Sequence, residues 1–366
     1  MKVVSCQWAV GSGQWAVVSC QWAVGSGQWA VWGLALLVAG CSGKADHAVE
    51  PAFYYWKSRF NINVPEREYL ERADIDLLYV KFLDIDWDEN RQEAVPTSML
   101  SADTSAFLPY RIIPCVFITN RVFIRTGADQ IPILARKIGY KIRDMAGKAR
   151  VEEIQIDCDW TETTREAFFR FLEEIRKNAA EKSWKVSATI RLHQWKFPDR
   201  TGVPPVDKGV LMFYNTGDVA DWQEPNSILN LETAGDYLDG SGKYPLHLDL
   251  ALPVFHWGAL FRDDRLVKLI NNLDSRLLGD TSRFIKIAEG RYEVIKSTYL
   301  EGYYLYSGDR LRLENVDFRQ LETIVRETGA KLDPADRRLI FYHLDSANLS
   351  VLPYESLKDL VDSAAP

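Results

Sequence analysis

The chain has 366 residues, with 44 Lys and Arg against 51 Asp and Glu, for a formal net charge of −7. Hydrophobic residues make up 47% and charged residues 26%, the balance of a globular protein with length enough for a large core, not of a disordered or fibrous chain. The acidic balance and the lack of a Lys/Arg stripe argue against a nucleic-acid partner, and no G-x-S-x-G turn supports a serine nucleophile.

The first 40 residues stand apart. SCQWAVGSGQWAV fills 5–17 and recurs letter for letter at 19–31, and QWAV returns every seven residues. The repeat lacks the flanking charges of a coiled coil and carries Ser or Gly in each unit, so no folded role is assigned to it. Perfect identity fits recently duplicated DNA or a start codon placed too far upstream. The run Trp32–Gly40 (WGLALLVAG) is too short to span a bilayer comfortably and leads into Cys41. V-A-G-C resembles the lipobox of bacterial lipoproteins, where a signal peptidase cuts before a lipid-bearing cysteine. The resemblance implies a signal segment over 1–40, a lipidated tether over 41–50 and a folded domain over 51–366. It also implies export and anchoring through Cys41 to a bacterial membrane, on a periplasmic or cell-surface face. With Cys6, Cys20 and Cys41 set aside, Cys115 and Cys158 remain inside predicted strands as buried packing residues, and no disulfide framework is expected.

From residue 52 onward strands and helices alternate. AFYYWK (52–57) is a first strand and 65–73 a short helix; DLLYVKFLDID (76–86) is a longer second strand, followed by a loop through Ser101. RIIPCVFITN (111–120) is nearly continuous in apolar residues, as a strand covered on both faces is, and 131–145 has apolar residues at helical spacing. VEEIQIDCDWT (151–161) alternates, placing Gln155, Asp157 and Asp159 on one face and Ile154, Ile156 and Cys158 on the other. An amphipathic helix follows over 165–178. Further strands are expected at 185–195, 208–216, 246–257 and 338–345, with helices at 318–328 and 355–363. The irregular stretch 262–314 reads as an insertion, with a hairpin over 298–313 turning at Ser307-Gly308-Asp309 and its tyrosines Tyr303, Tyr304 and Tyr306 packing within it. Eight strands alternating with helices predict an α/β fold, a (β/α)8 barrel with a β-hairpin or α+β insertion between strand seven and its helix. An open doubly wound sheet is the alternative, but no Gly-rich phosphate loop follows any strand.

Chemistry in such a barrel sits at the C-terminal ends of the strands. Collected there are Trp56, Lys81, Asp84 and Asp86 from the first two strands, and Asp157, Asp159 and Trp160 from the fourth. The fifth adds Arg191, His193 and Trp195, the sixth Tyr214 and Asn215, the seventh His256 and Trp257, and the eighth Tyr342, His343 and Asp345. Aromatic rings among carboxylates and amides suit a sugar, whose apolar faces stack on Trp and Tyr while its hydroxyls need fixed donors and acceptors. Two carboxylates two residues apart repel each other, which tends to raise one pKa and suits acid/base work; a helix-capping pair is the bland alternative.

IQIDCDW is similar to the D-x-D-x-E strand of family 18 glycoside hydrolases, the chitinases and endo-β-N-acetylglucosaminidases. LMFYN resembles their M-x-Y-D motif, and LHLDLALPVF their strand running into a Pro-aromatic end. The resemblance implies Asp159 as the acid, Asp157 as the carboxylate orienting the substrate's N-acetyl group, and Tyr214 and Asn215 as acetamide contacts. It departs from the family where Gln155 replaces the first Asp, Asp159 replaces Glu and Asn215 replaces Asp. I-Q-I-D-x-D together with Ser187-Ala188-Thr189-Ile190 also resembles an uncharacterised group of bacterial exported proteins, domain of unknown function 3142, which implies a fold and no activity.

Three functions follow as alternatives. A glycosidase would use Asp157, Asp159 and Tyr214, with Gln155, Trp160, Lys81, Arg191, His193, Trp195, Asn215, His256, Trp257, His343 and Asp345 holding substrate. Asp157 and Asp159 cannot flank a glycosidic bond by themselves, so the nucleophile would be the substrate's acetamide or a carboxylate from another strand. A glycan-binding lipoprotein that has lost its acid is the second reading. A metal-dependent hydrolase using His193, His256 and His343 is the third, although the first strand lacks a His-x-His pair. No cofactor or metal is expected, and the partners are a glycan and a membrane, with the chain a monomer.

Overall fold

The computed structural model describes residues 49–239, 242–329, 331–332 and 337–364. Eight parallel strands form the centre: β1 (Glu50–Tyr55), β2 (Leu77–Asp88), β3 (Arg111–Ile118), β4 (Glu153–Asp157), β5 (Lys185–Arg191), β6 (Lys208–Met212), β7 (Leu248–Pro253) and β8 (Arg338–Tyr342). Each pairs with the next, and β8 returns to β1 with Ile340 beside Ala52, so the sheet closes into a barrel. The open-sheet alternative is thereby excluded.

Helices on the outside follow from local pattern. Ile131–Ala146 buries Ile131, Leu134, Ala135, Ile138 and Ile142, the stripe that 3.6 residues per turn produces, and stops at Gly147, whose φ of 55° is left-handed. Arg165–Ala180 buries Phe168, Phe171, Leu172 and Ile175 in the same way. Val64–Arg72 starts at a capping box in which Asn63 and Glu66 satisfy each other's backbone N–H groups. Gly209 in β6 has a steric reason: a Cβ there would meet Leu248 Cδ2 at 2.6 Å and Ile190 Cγ1 at 2.8 Å.

Several elements were not foreseen, two of them directly beside the barrel strands. The outer half of β2 pairs with an antiparallel strand, Glu93–Met99, where a loop was expected. Its Pro96 and mostly exposed side chains hid it, but an edge strand tolerates both. A helix, Leu231–Leu238, lies between β6 and β7 and is capped by the Asn230 side chain.

Between β7 and the helix Phe318–Gly329 the chain builds a five-stranded antiparallel sheet, ordered 265–271, 257–262, 310–314, 291–294 and 284–288. It has its own core around Leu260, Leu273, Phe284 and Leu311. The expected hairpin is shorter than predicted, pairing Thr298–Leu300 with Tyr303–Leu305 and turning at Glu301 and Gly302, both left-handed, as a tight hairpin turn requires. Asp309 belongs instead to the approach to the next strand, where its two oxygens accept from Nε and Nη2 of Arg262 at 2.8 Å. Tyr303, Tyr304 and Tyr306 are 37%, 43% and 52% exposed and pack along the hairpin's outer surface, with Tyr304 edge-on to Tyr299 and Tyr306 at 5.0 Å.

The inward residues of β4 mark three levels of the barrel. At the N-terminal end, buried Glu153 meets Arg338 Nη1 at 2.7 Å and Lys208 Nζ at 3.1 Å. In the middle, Gln155 Oε1 accepts the Tyr54 hydroxyl at 2.8 Å. At the C-terminal mouth, Asp157 closes the strand. The expected strand through Thr161 is therefore too long: pairing ends at Asp157 with β3 and at Ile156 with β5, and Asp159 stands in the loop beyond. Among the described residues no helix is long and apolar enough to cross a membrane, and the repeat, the apolar run and Cys41 lie outside them.

Candidate functional site

The mouth of the barrel holds a cavity of about 390 Å³, at the small end of the ~300–1,000 Å³ range of ligand pockets. Its floor is polar. Asp157 is 4% exposed and accepts the Thr189 hydroxyl at 2.7 Å from the neighbouring strand. Arg191, ending β5, places Nη2 3.4 Å from Asp157, while its Nε donates to Asp159. One guanidinium therefore bridges both carboxylates of the strand-four motif. Burial pushes the Asp157 carboxyl up, against the opposing pull of Arg191 and the Thr189 hydroxyl. Burial disfavours the charged guanidinium of Arg191, but Asp157 and Asp159 outweigh it and hold the side chain firmly positive. The Asp159 side chain is 57% exposed and so stays open to solvent while paired with Arg191.

The wall is aromatic. Trp56 after β1 lies 5.6 Å from Tyr342 of β8, which lies 5.4 Å from Tyr214 after β6. Phe255 after β7 continues the wall, 5.8 Å from Tyr342 and 5.1 Å from Trp257. Burial raises the Tyr214 and Tyr342 hydroxyls, so both remain hydrogen-bond donors at neutral pH. Asn215, Asn271, Asn272, His256 and His343 supply amide and imidazole groups around this wall. Asn215 sits at φ 55°, a left-handed position that Asn tolerates better than most residues. Burial lowers both His256 and His343, leaving neutral rings that each carry one donor and one acceptor.

Trp257 is held from behind. Its Nε1 donates to Glu314 at 3.1 Å, and Glu314 also accepts from the Ser227 backbone N–H at 2.8 Å and pairs with Arg312 at 2.5 Å. Arg312 donates in turn to the Val219 carbonyl at 3.2 Å and to the Asp221 carbonyl. The insertion sheet, the loop after β6 and the mouth thus share one buried ion pair.

Of the expected site residues, Asp157, Asp159, Arg191, Tyr214, Asn215, His256, Trp257 and His343 gather at the mouth. Others do not. Trp160 is fully buried, stacked on Phe168 at 5.1 Å with Nε1 donating to the Thr201 carbonyl, so it cannot stack on a sugar. Trp195 is 1% exposed because Leu192–Lys196 turns into a helix where a strand was expected, burying that ring in the core. Gln155 is sealed in the middle level beneath the mouth. His193 faces a neighbouring recess shared with Asp159 and Tyr237. Lys81 pairs with Asp84 at 2.9 Å and lies 5.5 Å over the Trp56 ring, bracing the wall. Asp345 pairs with Lys57 at 3.3 Å. Among the described residues no group of His, Cys, Asp or Glu is placed to hold a metal ion. Phe117, Asn271 and Asn272 line the mouth without having been singled out, beside Met212 and Phe255 of the LMFYN and LHLDLALPVF motifs. Phe255 follows Pro253 at the end of β7 and was open to detection, whereas Asn271 and Asn272 arrive from the insertion and leave no local signal.

No family model matches the chain, and no curated protein matches its sequence. Solved structures do. The chitinase from Chromobacterium violaceum superposes with a TM-score of 0.53 at 14% identity, covering 86% of this chain and 99% of that one. The spore cortex-lytic enzyme SleL of Bacillus megaterium superposes with a TM-score of 0.52 at 13% identity, covering 86% and 75% respectively. At such identities the likeness establishes the fold, a closed (β/α)8 barrel shared with chitinases.

Proposed function

We propose that the chain is a glycan-binding protein built on a glycoside-hydrolase barrel, with its sugar seated at the mouth against Trp56, Tyr342, Tyr214 and Trp257. The observation that carries this over turnover is the Arg191 bridge. A general acid must deliver a proton from a carboxyl group within about 3 Å of the leaving oxygen. Here one oxygen of Asp159 is committed to a fixed positive charge, and the same guanidinium engages Asp157. Asn215, Asn271 and the neutral imidazoles offer paired donors and acceptors to hydroxyl or acetamide groups. An N-acetylated sugar fits that mixture of flat aromatic and amide surface.

Hydrolysis is the second reading, favoured by the outward exposure of Asp159 and the raised carboxyl of Asp157 beside Tyr214. In it Asp159 leaves Arg191 when substrate enters and acts as acid, while Asp157 orients the substrate's acetamide. A panel of chitin oligomers, peptidoglycan fragments and N-glycans separates the two, scored by thermal stabilisation and by release of reducing ends. Stabilisation without release supports binding. Release by the parent, abolished in Asp159→Asn, establishes a glycosidase instead. Neither response from any glycan refutes both.

Membership of the domain-of-unknown-function-3142 group and anchoring through a lipid on Cys41 belong to the same proposal, supported by the strand-four and strand-five patterns and by the V-A-G-C run. The protein would then work as a monomer on the exported face of a bacterial membrane. Cys41→Ser should move it from the membrane fraction to the soluble fraction of an expressing bacterium, and unchanged partition would remove the anchor from the proposal.

A further inference from the structure

Trp257 opens the insertion, and packing alone does not hold its ring. The side chain borders the mouth on one side and, on the other, a hollow of about 840 Å³ against the insertion sheet. Phe255 meets it at 5.1 Å, tilted by 52°. A strand side chain has two common χ1 rotamers, so an indole with space on both sides needs a further restraint to stay at the wall. Trp257 and Glu314 are cross-strand partners in the insertion sheet, which sets their side chains next to each other on one face. Trp257 Nε1 donates to Glu314 Oε2 at 3.1 Å. The same oxygen accepts the Ser227 backbone N–H at 2.8 Å and the Ser227 hydroxyl at 2.5 Å, while Oε1 takes Arg312 Nε at 2.5 Å. The four donors come from three separate segments of the chain. Glu314 and Arg312 are 3% and 1% exposed. A pair so buried contributes little net stability, because desolvation of both charges offsets their attraction. What it supplies is direction: with Oε1 taken by Arg312, Oε2 is left facing the indole. Arg312 also reaches the Val219 and Asp221 carbonyls, and Arg291 those of Trp222, Gln223 and Glu224. The loop that continues from Tyr214 and Asn215 is therefore tied to the same sheet.

We infer that Glu314, held by Arg312, is a positioning residue for the mouth: it acts through Trp257 and keeps the indole where a ligand can stack on it. The inference rests on the glycan reading for what Trp257 binds, and on the hydrogen bond alone for how the ring is held. Without the bond the indole swings between the wall and the hollow. Affinity then falls although no group that contacts the ligand has been removed.

The test uses the full chain and a double-variant cycle of Glu314→Gln and Trp257→Phe, with chitin tetrasaccharide and a disaccharide peptidoglycan fragment titrated by calorimetry. An amide has one acceptor oxygen; with that on Arg312, its NH2 meets the Trp257 and Ser227 N–H groups donor against donor. Glu314→Gln should weaken binding by about tenfold in the parent and by less than about twofold in Trp257→Phe, where no indole N–H remains to be held. Equal losses in both backgrounds would show that Glu314 acts through the fold at large and overturn the inference, as would no loss in the parent. A ligand-free readout accompanies the cycle. In protein labelled with fluorotryptophan, the fluorine resonance missing from Trp257→Phe belongs to Trp257. It should shift or broaden in Glu314→Gln while the other indole resonances hold, and an unmoved resonance overturns the inference whatever binds. Benzothienylalanine in place of Trp257 keeps the ring and removes only the N–H, which covers the case in which Glu314→Gln does not fold. It should cost the same factor of about ten, and undiminished affinity refutes the positioning role. If neither probe binds the parent, the glycan reading falls, and the fluorine spectrum decides by itself whether Glu314 sets the ring.

Discussion

Arg338 makes the sharpest stability prediction. It stands at the start of β8, 13% exposed at the side chain, and donates to Glu153 (2.7 Å), Glu50 (2.8 Å), Glu152 (2.7 Å) and the Tyr79 hydroxyl (3.0 Å). Arg338→Met removes the charge while keeping much of the apolar stem. The pairs with Glu50 and Glu152 are at the rim, where those carboxylates are 36% and 46% exposed, and each contributes about 0–1 kcal/mol. Glu153 is 1% exposed and would keep only Lys208, which also serves buried Asp249 at 2.5 Å. Breaking a buried pair on one side costs about 3–5 kcal/mol, and the remaining lysine argues for the lower end, roughly 3 kcal/mol. At about 2.1 cal/mol/K of unfolding entropy per residue over roughly 310 residues, that is a fall in Tm of about 5 °C. Differential scanning fluorimetry with a urea unfolding curve measures it. The double variant Arg338→Met, Glu153→Gln should recover part of the loss, because no unpaired buried charge remains. A single variant within about 1 °C of the parent, or a double variant no better than the single, would refute the view that this buried pair holds the bottom of the barrel together.

Asp157→Asn tests the carboxyl at the mouth. Burial raises it, so the folded chain holds that proton more tightly than the unfolded chain; its contribution is present below the ordinary carboxylate value and lost as pH rises through the raised one. The Tm of the variant minus that of the parent should therefore grow between about pH 4 and about pH 8, and a flat or falling difference contradicts it. His343 behaves in the opposite sense. Burial lowers it, so its contribution is present above the ordinary imidazole value and lost as pH falls toward the lowered one. His343→Phe should flatten the decline in Tm between about pH 6.5 and about pH 5, and an unchanged slope there would show that other groups set it. Gly209→Ala should cost about 1–3 kcal/mol through overpacking against Leu248 and Ile190, read from the urea midpoint, and a neutral effect would mean that those side chains can swing aside.

Much of the barrel was legible because its signals are local. The strand at Ile154 and Ile156, the helix after it with Phe168, Phe171, Leu172 and Ile175 inward, and the near-continuous apolar run of β3 each carry their period within a dozen residues. The strand ends were legible only to within a few residues: the expected strands at 151–161 and 185–195 overran their observed ends at Asp157 and Arg191, because the alternating pattern continues into the loops. Side-chain destiny beyond the strand ends was not legible. Trp160 and Trp257 both follow strands in the sequence, yet one is locked against Phe168 and the other divides two cavities. The difference arises in the loops, whose paths depend on what packs above them.

By itself the sequence determined which segments become the eight barrel strands and the long helices packed around them, and that carboxylates and aromatic rings collect at one end of the barrel. Periodic burial of apolar side chains is a property of each segment, and eight such units in alternation leave few ways to close a sheet. Only the tertiary structure decided that Arg191, more than thirty residues from Asp157 and Asp159, spans both carboxylates, and that Glu314 of the insertion fixes Trp257. Charge pairing and ring placement depend on distances of a few ångströms between chain segments far apart in sequence, and those distances exist only once the barrel has closed.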